Sequence, residues 1–318
     1  MAPPAGMAVL MTSPMLADAA VSIIEAAGGV LHYMDAYPDE ATMVARVRVV
    51  DPVAIIARQG PVTTAVLAAA PRLRLVARHG VGVDDVDLDA AHARGVLVTR
   101  APGANAQAVA EHTLAVLLAM VKRLPTHTAV LAAGGWRGPA AAGGDIAGLR
   151  LGLLGAGAIA QAVVPLARAF GMTVTAYARQ GVIAGVPMAP TLDALLTGSD
   201  VLSLHVPRTD ETEGLIGARA LALLPAGAFL INTGRGGIVD EAALLDALDS
   251  GHLAGAALDV FVQEPLATAD SLRHHPAVLA TPHVAGVTPG SLVTMGVMAA
   301  ECVAAVLRGQ NPPADRIV

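Results

Sequence analysis

The chain has 318 residues, of which 54% are hydrophobic and only 2% aromatic, and its formal net charge is -6. A negative charge and so few aromatic side chains argue against a nucleic-acid partner, which would need cationic and stacking surfaces. The single cysteine, Cys302, excludes an internal disulfide framework and is typical of a reducing compartment. We therefore expect a cytoplasmic protein of about two domains.

Neither a secretory signal nor a membrane span is expected. The N-terminus has no basic region, and Pro3, Pro4 and Pro14 interrupt it. Polar residues such as Arg150 and Arg168 break the longest apolar stretches, whereas a spanning helix needs roughly 20 apolar residues in succession.

The first hundred residues alternate short apolar runs with helical patterns. The apolar runs predict buried strands at Ala8–Met11, Val30–Tyr33, Ala54–Ala57, Leu73–Ala77 and Val96–Thr99. The intervening patterns predict helices at Leu16–Ala27, Ala41–Arg48, Thr64–Ala70 and Leu88–Arg94. This alternation indicates a parallel sheet with right-handed crossovers and helices on both faces.

A long helix is predicted next, from about Asn105 to Lys122, and we expect it to stop near Pro125. The following Gly/Ala-rich stretch, Ala132–Gly144, contains the only tryptophan, Trp136. Its residues are too small to build a core, so we expect a loop or linker.

A second alternating series follows. Its strands are predicted at Leu149–Leu154, Met172–Tyr177, Val201–Leu204, Ala228–Asn232, Ala256–Asp259 and Val278–Ala280. Its helices are predicted at Ile159–Phe170, Leu192–Leu196, Arg219–Leu223 and Glu241–Asp249. The fold class is therefore α/β, with two doubly wound parallel-sheet domains.

The tail contributes one more helix, Ser291–Leu307, which cannot close a domain by itself. We expect it to pack against the first series. Residues 1–100 with 286–318 would then form one domain and residues 101–285 the other, with a cleft between them.

A Gly-rich turn lies between the first strand and first helix of the second series. It runs Gly155-Ala156-Gly157-Ala158-Ile159-Ala160. The first glycine permits the tight turn, the second lets backbone approach a pyrophosphate, and the small third residue lets helix and strand pack closely. The phosphates would bind the N-terminus of the helix. Packing alone could also place such a turn in an Ala/Gly-rich chain, but its position favours a dinucleotide site.

The end of the next strand bears on which dinucleotide binds. A ribose 2′-hydroxyl normally meets an acidic residue about 20 residues past the glycines. Residues 175–181 contain no carboxylate, and Arg179 lies where a 2′-phosphate would need a cation. This pattern favours NADP(H). NAD(H) stays possible, with Arg179 an ordinary surface residue.

Three polar residues, Arg235, Glu264 and His283, each follow a predicted strand. Histidine can donate a proton near neutral pH, a carboxylate on its far ring nitrogen would fix its tautomer, and a guanidinium can bind a substrate carboxylate. Individually, His283 could be a capping or core histidine and Glu264 a loop carboxylate. Arg235 is more telling, because the glycines on both sides of it suggest a close backbone approach. Together with the Gly-rich turn they indicate an oxidoreductase acting on 2-keto or 2-hydroxy acids, and no metal site is predicted.

Ordered motifs along nearly the whole chain carry a family resemblance. They are Arg78–Asp84, Asn105 with Val109–Thr113, the Gly-rich turn, Leu204–Thr209, Asn232–Gly237, Ala257–Phe261, Glu264-Pro265 and Thr281–His283. In these motifs the chain resembles the D-2-hydroxyacid dehydrogenases, which include phosphoglycerate dehydrogenase, glyoxylate/hydroxypyruvate reductase, D-lactate dehydrogenase and formate dehydrogenase. The resemblance implies a flavodoxin-like substrate domain, a Rossmann cofactor domain and a homodimer.

The resemblance also implies roles for particular residues. His283 would be the acid/base, with Arg235 and Glu264 completing the catalytic set, and backbone N–H groups of Val81 and Gly82 would hold the substrate carboxylate. Asp259 would orient the nicotinamide carboxamide. The implied cofactor contacts are Gly155, Gly157, Ala158, Ile159, Arg179, Gln180, His205, Pro207, Thr212, Thr233, Asp259 and Gly286.

The substrate side chain stays open. Arg58, Arg78 and Arg137 could bind a dianionic acid such as 3-phosphoglycerate or sulfolactate, or could simply solvate the surface. Because NADPH normally drives reduction, we favour a glyoxylate- or hydroxypyruvate-type substrate. Formate dehydrogenases normally place Gln where Glu264 stands. A non-catalytic, corepressor-like nucleotide sensor would not need the intact proton-transfer set.

Overall fold

The computed structural model describes residues 7–137 and 142–318. These residues divide into two compact units. Unit 1 comprises the described residues up to Asn105 together with Val287–Val318, and unit 2 comprises those of Ala106–Gly286. The boundaries expected from the sequence differ from these divisions by a few residues. Each unit has its own parallel sheet with helices, which confirms the predicted fold class.

Unit 1 contains a five-stranded parallel sheet in the order β2-β1-β3-β4-β5. Its strands are β1 (Met7–Met11), β2 (Gly29–Tyr33), β3 (Ala54–Ala57), β4 (Leu75–Arg78) and β5 (Leu97–Thr99). This is the flavodoxin-like order, in which the chain changes direction between β1 and β3 and ligands bind at the carboxyl ends of the strands.

The helices of unit 1 cover both faces of this sheet. The first four are α1 (Asp18–Ala26), α2 (Glu40–Val50), α3 (Thr64–Ala68) and α4 (Leu88–Ala93). Alternate strand residues point to opposite faces, so Val9 and Met11 pack with α1, while Leu10 packs with α2, α3 and α4.

Unit 2 contains a six-stranded parallel sheet in the order β11-β10-β9-β8-β6-β7. Its strands are β6 (Arg150–Leu154), β7 (Thr173–Tyr177), β8 (Val201–Leu204), β9 (Ala228–Asn232), β10 (Leu253–Leu258) and β11 (Val278–Ala280). Met188 adds a single parallel bridge to Ala176 at the outer edge of β7. Counting this bridge as the third strand gives the Rossmann order 3-2-1-4-5-6, with β11 as an extra edge strand.

The helices of unit 2 are α5 (Ala106–Val121), α6 (Leu124–Ala132), α7 (Ala158–Ala169), α8 (Leu192–Thr197), α9 (Ala218–Leu223), α10 (Glu241–Asp249) and α11 (Ser271–His274). Helix α5 ends at Val121, close to Pro125 as predicted, although Pro125 is not the residue that ends it. The chain leaves α5 through a left-handed residue, Arg123, and Pro125 lies in the first turn of α6. Proline is tolerated there because the first helical N–H groups have no intrahelical acceptor.

The Gly/Ala-rich stretch is only partly described. Ala132 ends α6, residues 133–137 and 142–144 form neither helix nor strand, and the remainder of the expected loop lies outside the described residues. The sequence did not predict α6 because none of its residues is buried, so it has no core-facing apolar pattern.

The tail helix α12 (Pro289–Leu307) belongs to unit 1, and a short 3-10 turn, Ala314–Arg316, follows it. Thr288 and Ser291 form a capping box at its start. Among the described residues, α12, and α5 with α6 as one bent segment, are long and apolar enough to cross a membrane. However, 56% of the apolar window of α12 is buried, in the core shared with α1, β3 and β4. Core helices often pass this length test.

Candidate active site

The Gly-rich turn connects β6 to α7 in unit 2. Gly155 has a φ of +117°, and a Cβ there would lie 2.4 Å from the carbonyl oxygen of His205. At Gly157, the N-cap of α7, a Cβ would meet no heavy atom within 4 Å. The backbone at the helix N-terminus is therefore open to approach. Backbone N–H groups and the helix dipole favour an anion there, so this turn fits a dinucleotide pyrophosphate.

The other residues expected to contact the cofactor follow successive strands of unit 2. They therefore lie at the carboxyl edge of one parallel sheet, where Rossmann domains bind dinucleotides. They are Arg179 and Gln180 after β7, His205, Pro207 and Thr212 after β8, Thr233 after β9, Asp259 after β10 and Gly286 after β11.

Arg179 forms an ion pair with Glu211, which lies in the loop after β8. Both side chains are largely exposed, at 60% for Arg179 and 62% for Glu211. The loop after β7 thus presents a cation where the sequence predicts it, but a carboxylate accompanies it. Sequence analysis missed Glu211 because its link to Arg179 depends on how two separate loops fold.

Among the described residues, His205 is the one group at this edge with a buried side-chain atom that lacks a hydrogen-bond partner. Its Nε2 is hydrogen-bonded with Ser203 Oγ at 2.9 Å, and burial lowers its pKa to about 4, so the ring is neutral at physiological pH. Nδ1 is buried and has no hydrogen-bond partner among the residues that the structure describes. A buried polar atom of this kind suits an edge that binds a polar ligand.

Arg235 is held by a tight turn after β9. The Asn232 side chain accepts from the Gly234 N–H at 3.1 Å and donates to the Arg235 carbonyl at 2.9 Å. A Cβ at Gly236 would lie only 1.8 Å from the Phe261 carbonyl oxygen. Only glycine therefore lets this turn approach the segment that carries the catalytic carboxylate candidate.

His283 and Glu264 form a direct pair. His283 Nδ1 lies 2.7 Å from Glu264 Oε2, and Glu264 Oε1 accepts from the Phe261 N–H at 3.0 Å. With Nδ1 engaged, Nε2 is the ring nitrogen left to exchange a proton with a ligand. The pair brings together two of the three residues predicted from the sequence, and the charge of Arg235 acts on both.

The pKa values of the pair are shifted in opposite directions. The hydrogen bond to Glu264 raises the pKa of His283 above 6.5, against burial and the positive charge of Arg235. Burial favours the neutral form of Glu264, but the hydrogen bonds from His283 and Phe261 outweigh it, so its pKa lies below 4.5. An ionised carboxylate thus holds an imidazole that protonates readily.

Asp259 builds the turn that carries His283. The His283 backbone has a left-handed φ of 53°, and its N–H donates to the Asp259 carbonyl at 2.8 Å. The Asp259 carboxylate, which is almost fully buried, accepts from the N–H groups of Val284 at 2.9 Å and Ala285 at 2.8 Å. The sequence analysis missed this role, because it depends on backbone contacts between two strand ends.

In unit 1, Arg78 braces its own loop. Its guanidinium donates to the carbonyls of Gly82 at 2.9 Å, Ala57 at 3.0 Å and Arg58 at 3.0 Å, and pairs with Asp85 at 2.8 Å. These bonds shape the loop containing Val81 and Gly82. They commit the cation to the protein, so direct contact between Arg78 and a substrate stays only a prediction.

Arg58 differs from Arg78. Within residues 7–137 and 142–318, no side chain or backbone group forms a hydrogen bond or ion pair with its guanidinium; its backbone N–H donates to Thr12 Oγ1 at 2.9 Å. Burial and the charge of Arg58 together lower the pKa of the neighbouring His79 to about 4. Arg137 is exposed at the edge of the described residues. Unlike Arg78, Arg58 can therefore offer its guanidinium to an anion.

Comparison with known proteins identifies the family of the chain. Residues 114–285 match the family model described as D-isomer specific 2-hydroxyacid dehydrogenase, NAD binding domain. The chain is 42% identical to D-3-phosphoglycerate dehydrogenase of Mycobacterium bovis over 283 residues, covering 87% of this chain and 53% of the relative. It thus spans about half the length of that relative. It is 39% identical to a glyoxylate reductase of Aeropyrum pernix, covering 78% of this chain and 77% of the relative.

Solved structures resemble the whole chain. The TT0316 protein of Thermus thermophilus matches with a TM-score of 0.89 and 38% identity, covering 98% of this chain and 100% of that one. An NADPH-dependent glyoxylate/hydroxypyruvate reductase of Sinorhizobium meliloti matches with a TM-score of 0.86 and 29% identity, covering 98% and 97%. The chain therefore belongs to the D-isomer specific 2-hydroxyacid dehydrogenase family.

Proposed function

We propose that the protein is an NAD(P)-dependent D-2-hydroxyacid dehydrogenase that works mainly as a 2-keto acid reductase. The observation that carries this proposal is the 2.7 Å contact between His283 Nδ1 and Glu264 Oε2. The pair lies in the same unit as the open Gly155–Gly157 turn and the Arg235 turn. A proton donor, an anion-binding cation and a dinucleotide turn are the parts that reduction of a keto acid needs.

The residues divide the chemistry between them. A reduced nicotinamide dinucleotide, when bound, supplies the hydride. Arg235 binds the substrate carboxylate and polarises the keto oxygen, and His283 gives its Nε2 proton to that oxygen. Glu264 holds the ring through Nδ1 and stabilises the imidazolium. General acid catalysis of this kind contributes roughly 10²–10⁴-fold.

Turnover of a small keto acid tests the proposal. Purified protein with NADPH should reduce glyoxylate or hydroxypyruvate, and His283→Ala should abolish turnover while leaving the far-ultraviolet circular dichroism unchanged. A protein that binds nucleotide but reduces no keto acid would instead support a non-catalytic nucleotide sensor. Activity that survives His283→Ala would contradict the assigned proton donor.

We propose NADP(H) as the preferred cofactor, with NAD(H) as the alternative. Arg179 supports this choice, because a guanidinium suits a 2′-phosphate and the segment after β7 contains no carboxylate to bind a ribose hydroxyl. We expect kcat/KM to be higher with NADPH than with NADH, and Arg179→Ala to weaken use of NADPH selectively. A strong NADH preference in the unmodified protein would end the idea.

We propose glyoxylate- or hydroxypyruvate-type acids as substrates. The commitment of Arg78 to its own loop supports this, because it leaves fewer cations for a second anionic group. The name of the Aeropyrum pernix relative also supports it. The alternative is D-3-phosphoglycerate or another dianionic acid such as sulfolactate. It is favoured by Arg58, whose guanidinium has no partner among the described residues, and by the name of the Mycobacterium bovis relative.

A panel of keto acids with NADPH separates these substrates. The panel contains glyoxylate, hydroxypyruvate, phosphohydroxypyruvate and sulfopyruvate. We expect the first two to give the highest kcat/KM. Activity confined to the last two, and lost in Arg58→Gln, would favour the dianionic alternative.

We also propose a homodimer and a cytoplasmic location. Helix α6 has no buried residue, and the apolar side chains of Leu124, Leu131 and Trp136 are 52%, 61% and 76% exposed. A second copy of the chain would cover this apolar surface. Light scattering should give the mass of a dimer, and Leu131→Glu should weaken dimer formation.

Cell fractionation tests the proposed cytoplasmic location, and recovery of the protein in the membrane fraction would contradict that location.

A further inference from the structure

Helix α5 carries the segment Glu111–Thr113, to which the proposed chemistry gives no role. The helix is firmly seated in unit 2, where Leu114, Leu117 and Val121 are buried. They pack in a core that also contains β6, β9 and β10 residues, namely Leu151, Leu153, Ile231 and Ala257. Side chains that leave this helix towards the site therefore start from a rigid support.

Two successive residues of α5 contact the ends of two different strands. His112 Nε2 lies 3.2 Å from Thr281 Oγ1, in the segment after β11 that leads to His283. Thr113 Oγ1 lies 3.3 Å from Thr233 Oγ1, in the segment after β9 that leads to Arg235. Thr113 is buried and also donates to the Val109 carbonyl at 2.8 Å. Helix α5 thus contacts both the segment that leads to His283 and the segment that leads to Arg235.

The direction of the His112 contact follows from counting hydrogens. Thr281 Oγ1 also lies 2.6 Å from Asp259 Oδ1. Thr281 is the donor in this bond, so its one hydroxyl hydrogen points at Asp259. Thr281 must then accept from His112, and Nε2 must carry a hydrogen. The geometry fixes the neutral His112 ring as the Nε2–H tautomer.

These hydrogen bonds connect His112, through Thr281 and Asp259, to the turn that carries His283. Asp259, which Thr281 contacts, accepts the N–H groups of Val284 and Ala285 through its carboxylate and that of His283 through its carbonyl. The turn needs such support, because a left-handed φ of 53° is unfavourable for a residue with a Cβ. His112 Nε2 is also 4.0 Å from Asp259 Oδ1.

We propose that His112 is a positioning residue, which donates from Nε2 to Thr281 and thereby fixes Asp259 and the 283–285 turn so that His283 meets Glu264. The proposal rests on the proposed function only in that His283 is taken as the acid/base. The charged groups that act on His283 are Glu264, Arg235 and Asp259, and a substitution at His112 leaves all three residues in the chain.

The test combines nuclear magnetic resonance of the histidine rings, without cofactor, with steady-state kinetics on glyoxylate. In the unmodified protein, His112 should be the Nε2–H tautomer. His112→Leu and Thr281→Val should shift the pKa of His283 down towards 6.5. They should also lower kcat about tenfold, as expected when a catalytic group is slightly misplaced, with less effect on KM for NADPH. His112→Gln, which keeps a side-chain donor, should recover most of both losses.

His275→Leu is the matched control. Its Nε2 contacts a carboxylate, Asp249 Oδ1, at 3.2 Å, and its Nδ1 accepts from the Ala277 N–H at 3.1 Å, but among the described residues these ring contacts involve neither Asp259 nor residues 281–285. This variant should leave the pKa of His283 and kcat unchanged. A His112 ring protonated on Nδ1 alone, or a His283 pKa unaltered in folded His112→Leu and Thr281→Val, would overturn the proposal. The resonance data decide this even if no keto acid is turned over, which would instead contradict the proposed function.

Discussion

The two units place similar residues at the carboxyl edges of similar parallel sheets, yet use them differently. In unit 1, Arg78 donates to three carbonyls of its own surroundings and pairs with Asp85. In unit 2, His283 pairs with Glu264 through Nδ1, so Nε2 of the same ring is available to a ligand. The same architecture therefore supports either a braced loop or a proton-transfer group, and function has to be argued from the partners of each side chain.

The largest difference between the units should appear when an arginine is removed from each. Arg235→Gln should lower kcat/KM for glyoxylate reduction by roughly 10²–10³-fold, because a preorganised cation at the developing charge is lost. Arg78→Gln should mainly lower the free energy of unfolding, because the carbonyls of Gly82, Ala57 and Arg58 would lose their hydrogen-bond donor. Steady-state kinetics and urea unfolding measure the two effects.

Arg208→Gln serves as the control for Arg235→Gln. Arg208 lies after β8 in unit 2 and pairs with Glu213 at 2.9 Å, in a largely exposed position. We expect its replacement to change kcat/KM very little. Equal losses in the Arg208 and Arg235 variants would mean that net charge at this edge, rather than the position of Arg235, supports turnover.

Buried histidines should make both units sensitive to acid. The folded-state pKa of His79 in unit 1 is lowered from 6.5 to about 4, by burial first and then by the charge of Arg58. Below pH 6.5 the unfolded chain binds a proton that the folded chain takes up only near pH 4. Stability should thus fall on the order of 3 kcal/mol as pH drops through this range.

His79→Gln should remove most of this acid sensitivity, which urea unfolding at pH 7 and pH 4.5 would measure. In unit 2, His205→Gln should likewise reduce the loss of stability at acid pH, since burial also lowers the pKa of His205 to about 4. If the His79 variant and the unmodified protein lose stability equally on acidification, another group is responsible for the acid response of unit 1.

The smallest effect should come from the exposed pair at the edge of unit 2. Glu211→Gln removes a carboxylate beside Arg179 and should raise the kcat/KM preference for NADPH over NADH a few-fold at most, the scale of a surface ion pair. Glu213→Gln, which breaks the neighbouring pair with Arg208, is the matched control. A reduced preference for NADPH in Glu211→Gln would contradict the assigned position of the 2′-phosphate.

The sequence predicts the strands of both sheets well, because most of them are buried apolar runs bounded by turns. Val201–Leu204 and Ala228–Asn232 were predicted to the residue. Residues that pack against no core were missed, because burial supplies the pattern. Helix α6 has no buried residue. Met188 was missed for a different reason: it is partly buried against the core, but it forms only a single bridge to Ala176 of β7, which is too short to give a strand pattern.

For the candidate site, the sequence predicts which residue types are present but not how they are bonded. The pairing of His283 with Glu264 could be expected, because each follows a strand of one sheet. The hydrogen bonds from Arg78 to the carbonyls of Ala57 and Arg58, and the contact between His112 and Thr281, could not be expected. These contacts join segments far apart in the chain, and their hydrogen-bond directions are set only by tertiary geometry.

The most direct test is the pH dependence of kcat/KM for glyoxylate reduction by NADPH, in the unmodified protein and in Glu264→Gln. Reduction needs protonated His283, so activity should fall as pH rises through a pKa above 6.5, and this midpoint should move to lower pH when the carboxylate is removed. A profile that is flat from pH 5 to pH 9, or a midpoint that is the same in both proteins, would contradict a proton donor held by Glu264.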